Sequence, residues 1–127
     1  LNFSTEDLKG IQAYKDRISE INKELGNIKW EKTAVQIERL IRGLNPWPSA
    51  YTKLDGKTFK IWKAAVVSEN SDKEPGTIIA VEKNTLKVQT GEGVLSLLEV
   101  QIEGKKRMDA GSFLRGYAVE VGTKLHE

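Results

Sequence analysis

The sequence has 127 residues, 39% apolar and 30% charged, with 20 Lys or Arg against 18 Asp or Glu, a net charge of +2. That is the size and balance of one soluble-type globular domain with a modest core and room for an appendage. Without cysteine, disulfide frames, thiolate nucleophiles and zinc–thiolate sites are excluded. The apolar runs are too short for a membrane-spanning helix, and nothing at Leu1 resembles a signal peptide, so a cytoplasmic location and no membrane partner are expected.

Residues 1–29 are polar and read as a linker or N-terminal extension that needs a neighbour to lie against. Ser4-Thr5-Glu6-Asp7 offers a cap followed by acids, which suits a short helix start, and Gly10 weakens it. The apolar residues Tyr14, Ile18, Ile21, Leu25 and Ile28 are sparse, and Gly26-Asn27 ends any stripe among them.

Thr33-Ala34-Val35-Gln36 is a capping box. Ile37, Leu40, Ile41 and Leu44 then fall on one helical face, and Gly43 loosens the helix end. Asn45-Pro46-Trp47-Pro48-Ser49-Ala50 follows. Two prolines remove two backbone donors and push Asn45 and Trp47 towards extended backbone, so the helix stops and the chain turns. Asn45, Pro46, Trp47 and Pro48 are expected to form a structural anchor, with Trp47 plugging the seam between helix and sheet.

The period then changes to two. Asp55-Gly56 marks a hairpin; after it, Phe59 and Ile61 alternate with Lys60 and Trp62 through a strand that continues to Val67. Ser68 to Gly76 is a solvated loop. Thr77–Glu82 and Thr85–Thr90 pair across a Lys83-Asn84 turn, and Val94–Ile102 is a long strand with Leu95, Leu97 and Glu99 on one face, closed by Gly104. Asp109 caps a short helix through Phe113, Leu114 and Tyr117. The expected fold is mainly β: an OB-like Greek-key barrel of five to six strands, with an N-terminal helix and a short C-terminal helix, over residues 30–127.

Catalysis has little support. The single histidine, His126, is next to the end of the sequence and is expected to fray. No His- or Cys-based triad or metal set can be assembled. Gly91-Glu92-Gly93 lacks the rest of a dinucleotide fingerprint, so no catalytic residue, metal or cofactor is assigned. The charge is segregated: residues 32–63 hold seven Lys or Arg against two Asp or Glu, whereas residues 64–104 hold three against seven. Lys53, Lys57, Lys60 and Lys63 crowd one hairpin, and Lys105-Lys106-Arg107 follows the last strand. Such clusters suit a phosphate backbone bound through counterion release, with Trp62 and Tyr51 as the stacking candidates.

Trp30, Thr33-Ala34, Ile37, Leu40-Ile41-Arg42, the Asn-Pro-Trp-Pro corner, Tyr51-Thr52, Leu54-Asp55-Gly56-Lys57 and Ile61-Trp62 together resemble the C-terminal domain of methionyl-tRNA formyltransferases. Pro75-Gly76-Thr77, Leu97-Leu98-Glu99-Val100-Gln101, Gly104-Lys105-Lys106-Arg107-Met108 and Phe113-Leu114-Arg115-Gly116 keep the order of that family to the end of the sequence. The resemblance implies a barrel that grips initiator tRNA. Formyl transfer from 10-formyltetrahydrofolate would be carried out by an N-terminal formyltransferase domain that is missing here, with its Asn-His-Asp set. It implies a monomeric, cytoplasmic partner of initiator tRNA and of that domain, inactive alone, with the bases of the Gly-Lys-Lys-Arg-Met motif on tRNA. Ser49 departs from the family's usual Gly, a strain if the position needs positive φ. Two alternatives stand beside this reading: the scaffold tail of a sugar-nucleotide formyltransferase, and an isolated interaction barrel.

Overall fold

Caps and positive-φ turns divide the chain where the pattern of its side chains changes. The computed structural model describes residues 4–127. The elements are α1 (Thr5–Gly26), α2 (Ala34–Gly43), β1 (Ala50–Leu54), β2 (Lys57–Val67), β3 (Ile78–Glu82), β4 (Thr85–Gln89), β5 (Val94–Ile102), β6 (Met108–Asp109) and α3 (Ala110–Gly116). Thr33 Oγ1 accepts from Gln36 N at 3.1 Å while Gln36 Oε1 accepts from Thr33 N at 3.0 Å, the expected reciprocal cap of α2. Ile37 and Ile41 are buried beneath it and Leu40 is half-buried. Asp55 and Gly56 have φ of 52° and 76°, the two left-handed residues that the tight β1–β2 hairpin requires. Asp109 Oδ1 accepts from Ser112 N at 2.7 Å and starts α3.

The strands form one antiparallel sheet in the order β1-β2-β5-β4-β3, with β6 on β5. Its edges do not stay open. Lys53 and His126 exchange backbone hydrogen bonds of 2.7 and 3.0 Å on the β1 side. Ile78 N donates to Thr123 O and Leu125 N donates to Gly76 O, both at 2.8 Å, on the β3 side. The segment 122–126 thus lies between β1 and β3 and curls the sheet into a barrel, with Leu125 only 2% exposed. His126, expected to fray, is held there by its backbone. The mainly β barrel with its flanking helices is the fold expected from the sequence.

Three local expectations are corrected. The opening is one continuous 22-residue helix, running through Gly10. The Ser4–Asp7 capping box stabilises its first turn, and one interior Gly costs only about 1 kcal/mol. Trp47 does not plug a seam, being 69% exposed. Ser49 N donates to Leu44 O at 2.9 Å, which closes a tight loop with Trp47 on its outside; Trp30, 3% exposed, is the buried indole. Glu99 does not share the inner face with Leu95 and Leu97. The β2–β5 register slips near Lys63, so the buried set resumes at Val100 and Ile102. Ser49 does sit at positive φ, 75°, where a glycine would be unstrained.

Two substitutions test this description by urea denaturation. Ser49→Gly is expected to raise stability by about 0.5–1 kcal/mol by relieving the left-handed backbone. Gly91→Ala is expected to lower it by about 3 kcal/mol or more, because a Cβ there would lie 1.8 Å from Glu31 O.

Candidate nucleic-acid interface

Strand alternation points Tyr51 and Lys53 of β1, and Thr58 and Lys60 of β2, away from the core, opposite to the buried Thr52, Leu54, Phe59 and Ile61. Pairing then sets Tyr51, Lys60 and Gln101 in one row across β1, β2 and β5. Next to this row the register slips, leaving Trp62 of β2 and Leu98 of β5 without a partner residue. Such bulges re-aim side chains. Trp62 Nε1 donates to Gln101 Oε1 at 3.0 Å, and Gln101 Nε2 donates to Lys105 O at 3.0 Å. The glutamine therefore links the indole to the turn that carries Lys105, Lys106 and Arg107. Asn45, from the proline corner, donates from Nδ2 to Trp62 O at 3.0 Å and holds the bulge from the other side.

Two cations converge on the Trp62 ring. The Arg107 guanidinium carbon lies 4.7 Å from its centroid and Lys60 Nζ lies 5.6 Å away. Each contact is worth about 0.5–1 kcal/mol at an exposed site; together they fix charge over a flat apolar surface. Arg107 also pairs through Nε with Glu99 Oε1 at 3.2 Å. Trp62, Lys63, Arg107 and Arg42 line a groove of about 400 Å³ together with Glu38 and Glu99. Arg42 is held by Glu38 at 2.7 Å.

Lys60 also lines a second cleft, of about 440 Å³, between α1 and the proline corner, with Lys15, Lys23, Trp47 and Tyr51. Tyr51 Oη donates to Lys23 O at 2.9 Å, and Gly26 packs so closely on Ser49 O that a Cβ would lie 2.4 Å from it. These contacts fix the C-terminal end of α1 against the corner.

Of the basic residues expected at a binding face, Lys60, Lys63 and Arg107 surround Trp62. Lys105 and Lys106 stand exposed on the tethered turn, with no ion pair among the described residues. Lys53 shares the outer face but lies towards the hairpin, its Nζ donating to Thr58 Oγ1 at 3.0 Å. Lys57 is apart from them: its Nζ is 5.7 Å from the Tyr117 ring, at the barrel end covered by α3. The sequence reading missed Trp47, Arg42, Lys15 and Lys23. The two lysines stand eight residues apart, with Ser19 midway, so they share a helical face once the helix is continuous. That spacing was the available signal.

A small antiparallel barrel with a cationic, aromatic outer face is the class of module these features define. The family described as "Formyl transferase, C-terminal domain" matches residues 20–118, and the chain belongs to it. The methionyl-tRNA formyltransferase of Agathobacter rectalis is 66% identical over 105 residues, covering 83% of this chain and 34% of that protein. The methionyl-tRNA formyltransferase of Bacillus mycoides is 44% identical over 123 residues, covering 96% and 39%. The chain thus spans about a third of the length of these relatives. Among solved structures, HypX from Aquifex aeolicus in complex with tetrahydrofolic acid shares the fold, with a TM-score of 0.58 over 79% of this chain and 20% of HypX, at 20% identity. Among the described residues no helix is long and apolar enough to cross a membrane.

The Lys57 end of the barrel gives a pH test. Tyr117 Oη donates to Asp55 Oδ2 at 2.7 Å. That hydrogen bond, with burial and the carboxylate's charge adding to it, holds the phenol's pKa above its ordinary value. A raised folded-state pKa means that stability from this contact is complete below the unfolded value of about 10 and is lost as pH rises past it. Urea midpoints should fall between pH 9 and 11 more steeply in the parent than in Tyr117→Phe, where this contribution is gone.

Proposed function

We propose that this chain is the C-terminal domain of a methionyl-tRNA formyltransferase and holds initiator tRNA by its sugar–phosphate backbone. The observation that carries the reading is the Trp62 platform, with Lys60 and Arg107 over its ring, Lys63 in the same groove, and Lys105 and Lys106 on the turn that Gln101 links to the indole. Cations spread along a sheet face attract phosphates and release condensed counterions, whereas base readout would need groove-reading side chains. Lys53 extends the face along β1, and Lys57 is its weakest member because Tyr117 draws it aside.

In this reading the chemistry belongs to an N-terminal domain, which would bind 10-formyltetrahydrofolate and transfer the formyl group to the methionyl amine. The barrel positions the tRNA for it, in the cytoplasm and as a monomer, and has no activity alone. The relatives, about three times as long as the matched stretch, leave room for such a domain.

Filter binding of initiator tRNA across a salt series tests the proposal. Changing Lys105, Lys106 and Arg107 together to Ala is expected to weaken binding at least tenfold at low salt and to flatten the log–log salt slope by roughly two to three. An unchanged slope removes these three residues from the interface. Salt-insensitive or undetectable binding by the parent chain favours a scaffold role instead.

A further inference from the structure

We infer that the cleft between α1 and the proline corner is a site for one unpaired nucleotide, its base stacked on Trp47 and its flanking phosphates held by Lys15, Lys23 and Lys60. The inference rests on the tRNA reading for the identity of the natural ligand, but not for the chemistry of the cleft.

Trp47 is 69% exposed and does not stand alone: with Ile18, Pro48 and Tyr51 it lines one cleft, so the apolar surface there is a patch and not a single side chain. Trp47 is also held in position. Pro46 and Pro48 fix φ on both sides of it, and the Ser49 N to Leu44 O hydrogen bond closes the loop beneath it. Stacking on such a ring costs little conformational entropy. The surroundings select the partner. The cleft is lined by three lysines and no Asp or Glu, unlike the Trp62 groove with its Glu38 and Glu99. Tyr51 supplies a second aromatic wall and Asn22 an amide able to bond a base edge. A flat apolar platform ringed by cations suits a nucleotide, since every base has a π-face and a phosphate on each side. The volume, about 440 Å³, falls within the roughly 300–1,000 Å³ of ordinary ligand sites.

The cleft is also continuous with the first site. Lys60 lines it and at the same time lies 5.6 Å from the Trp62 ring. A strand whose backbone crosses β2 at Lys60 would place an unpaired base in the Trp47 cleft and continue past Trp62 to Arg107. α1 is essential to this arrangement, for it supplies Lys15 and Lys23. Lys15 precedes the stretch matched by the family, residues 20–118.

The test uses the intact chain with two probes, hexaadenylate and initiator tRNA, at roughly 50 mM salt, where phosphate contacts are strong. Trp47→Ala is expected to weaken hexaadenylate binding about 5- to 150-fold, the range spanned by base–aromatic stacking. It should leave the salt slope and the melting midpoint unchanged and remove the Trp47 share of the ligand-dependent fluorescence quenching, leaving only that of Trp62. Trp47→Phe should recover most of the affinity, and Lys60→Ala should flatten the slope. Parent-like hexaadenylate binding by Trp47→Ala, or no binding by the parent, overturns the inference. Equal, Trp47-dependent binding of polyglutamate also overturns it, in favour of an acidic protein partner. If hexaadenylate binds through Trp47 while initiator tRNA does not bind the parent, the nucleotide site stands and the tRNA reading falls. If the Lys105, Lys106 and Arg107 variant weakens tRNA while Trp47→Ala changes neither ligand, the nucleotide site falls and the tRNA reading stands.

Discussion

The barrel depends on one buried chain of hydrogen bonds. Trp30 Nε1 donates to Thr52 Oγ1 at 2.9 Å, and Thr52 Oγ1 donates to His126 O at 2.6 Å. The indole before α2, the middle of β1 and the closing segment are thereby fastened at one point inside the core. Thr52 is 0% exposed, so neither hydroxyl bond could be exchanged for water without opening the structure. Without that closure β1 and β3 would be two open edges, each a template for unwanted pairing. Everything on the outer face inherits its geometry from this closed frame, because β1 and β2 keep their curvature only while the ring is complete.

On that frame the outward residues form a surface whose parts are held by neutral polar side chains. Gln101 joins the Trp62 indole to the Lys105 carbonyl, and Asn45 secures the Trp62 carbonyl from the corner. Neither residue adds charge. They fix where charge is displayed, on a turn already closed by the β5–β6 pairing and the Lys105 N to Ile102 O hydrogen bond. The proline corner has a similar double use: its asparagine stabilises one aromatic platform while its tryptophan provides another.

Much of this was legible in the sequence. The Thr33 and Asp109 caps, the Asp55-Gly56 hairpin and the inward Phe59 and Ile61 depend on local chemistry, and local chemistry can be read residue by residue. Lys60 and Trp62 on a common face followed from strand alternation alone. What was not legible depended on pairs distant along the chain. Segment 122–126 has little β pattern of its own and is extended only because β1 and β3 both need a partner. Glu99 was misplaced because a bulge changes the phase of alternation and leaves no composition signal. Trp47 was taken for core on its residue type, while its exposure follows from a loop closed between Leu44 and Ser49. Lys57 shared a hairpin with the other lysines in sequence, yet Tyr117, sixty positions further along, captures it.

The slip between β2 and β5 has a consequence of its own. Each strand carries one surplus residue at the same level, Trp62 on one and Leu98 on the other, so Phe59 still faces Ile102 and Val67 still faces Val94. The two insertions cancel. Losing a single residue from either strand would turn half of that strand inside out against its neighbour, whereas a matched loss of Trp62 and Leu98 would keep the pairing on both sides of the kink. Length at this point is therefore a property of the pair of strands and not of either one alone.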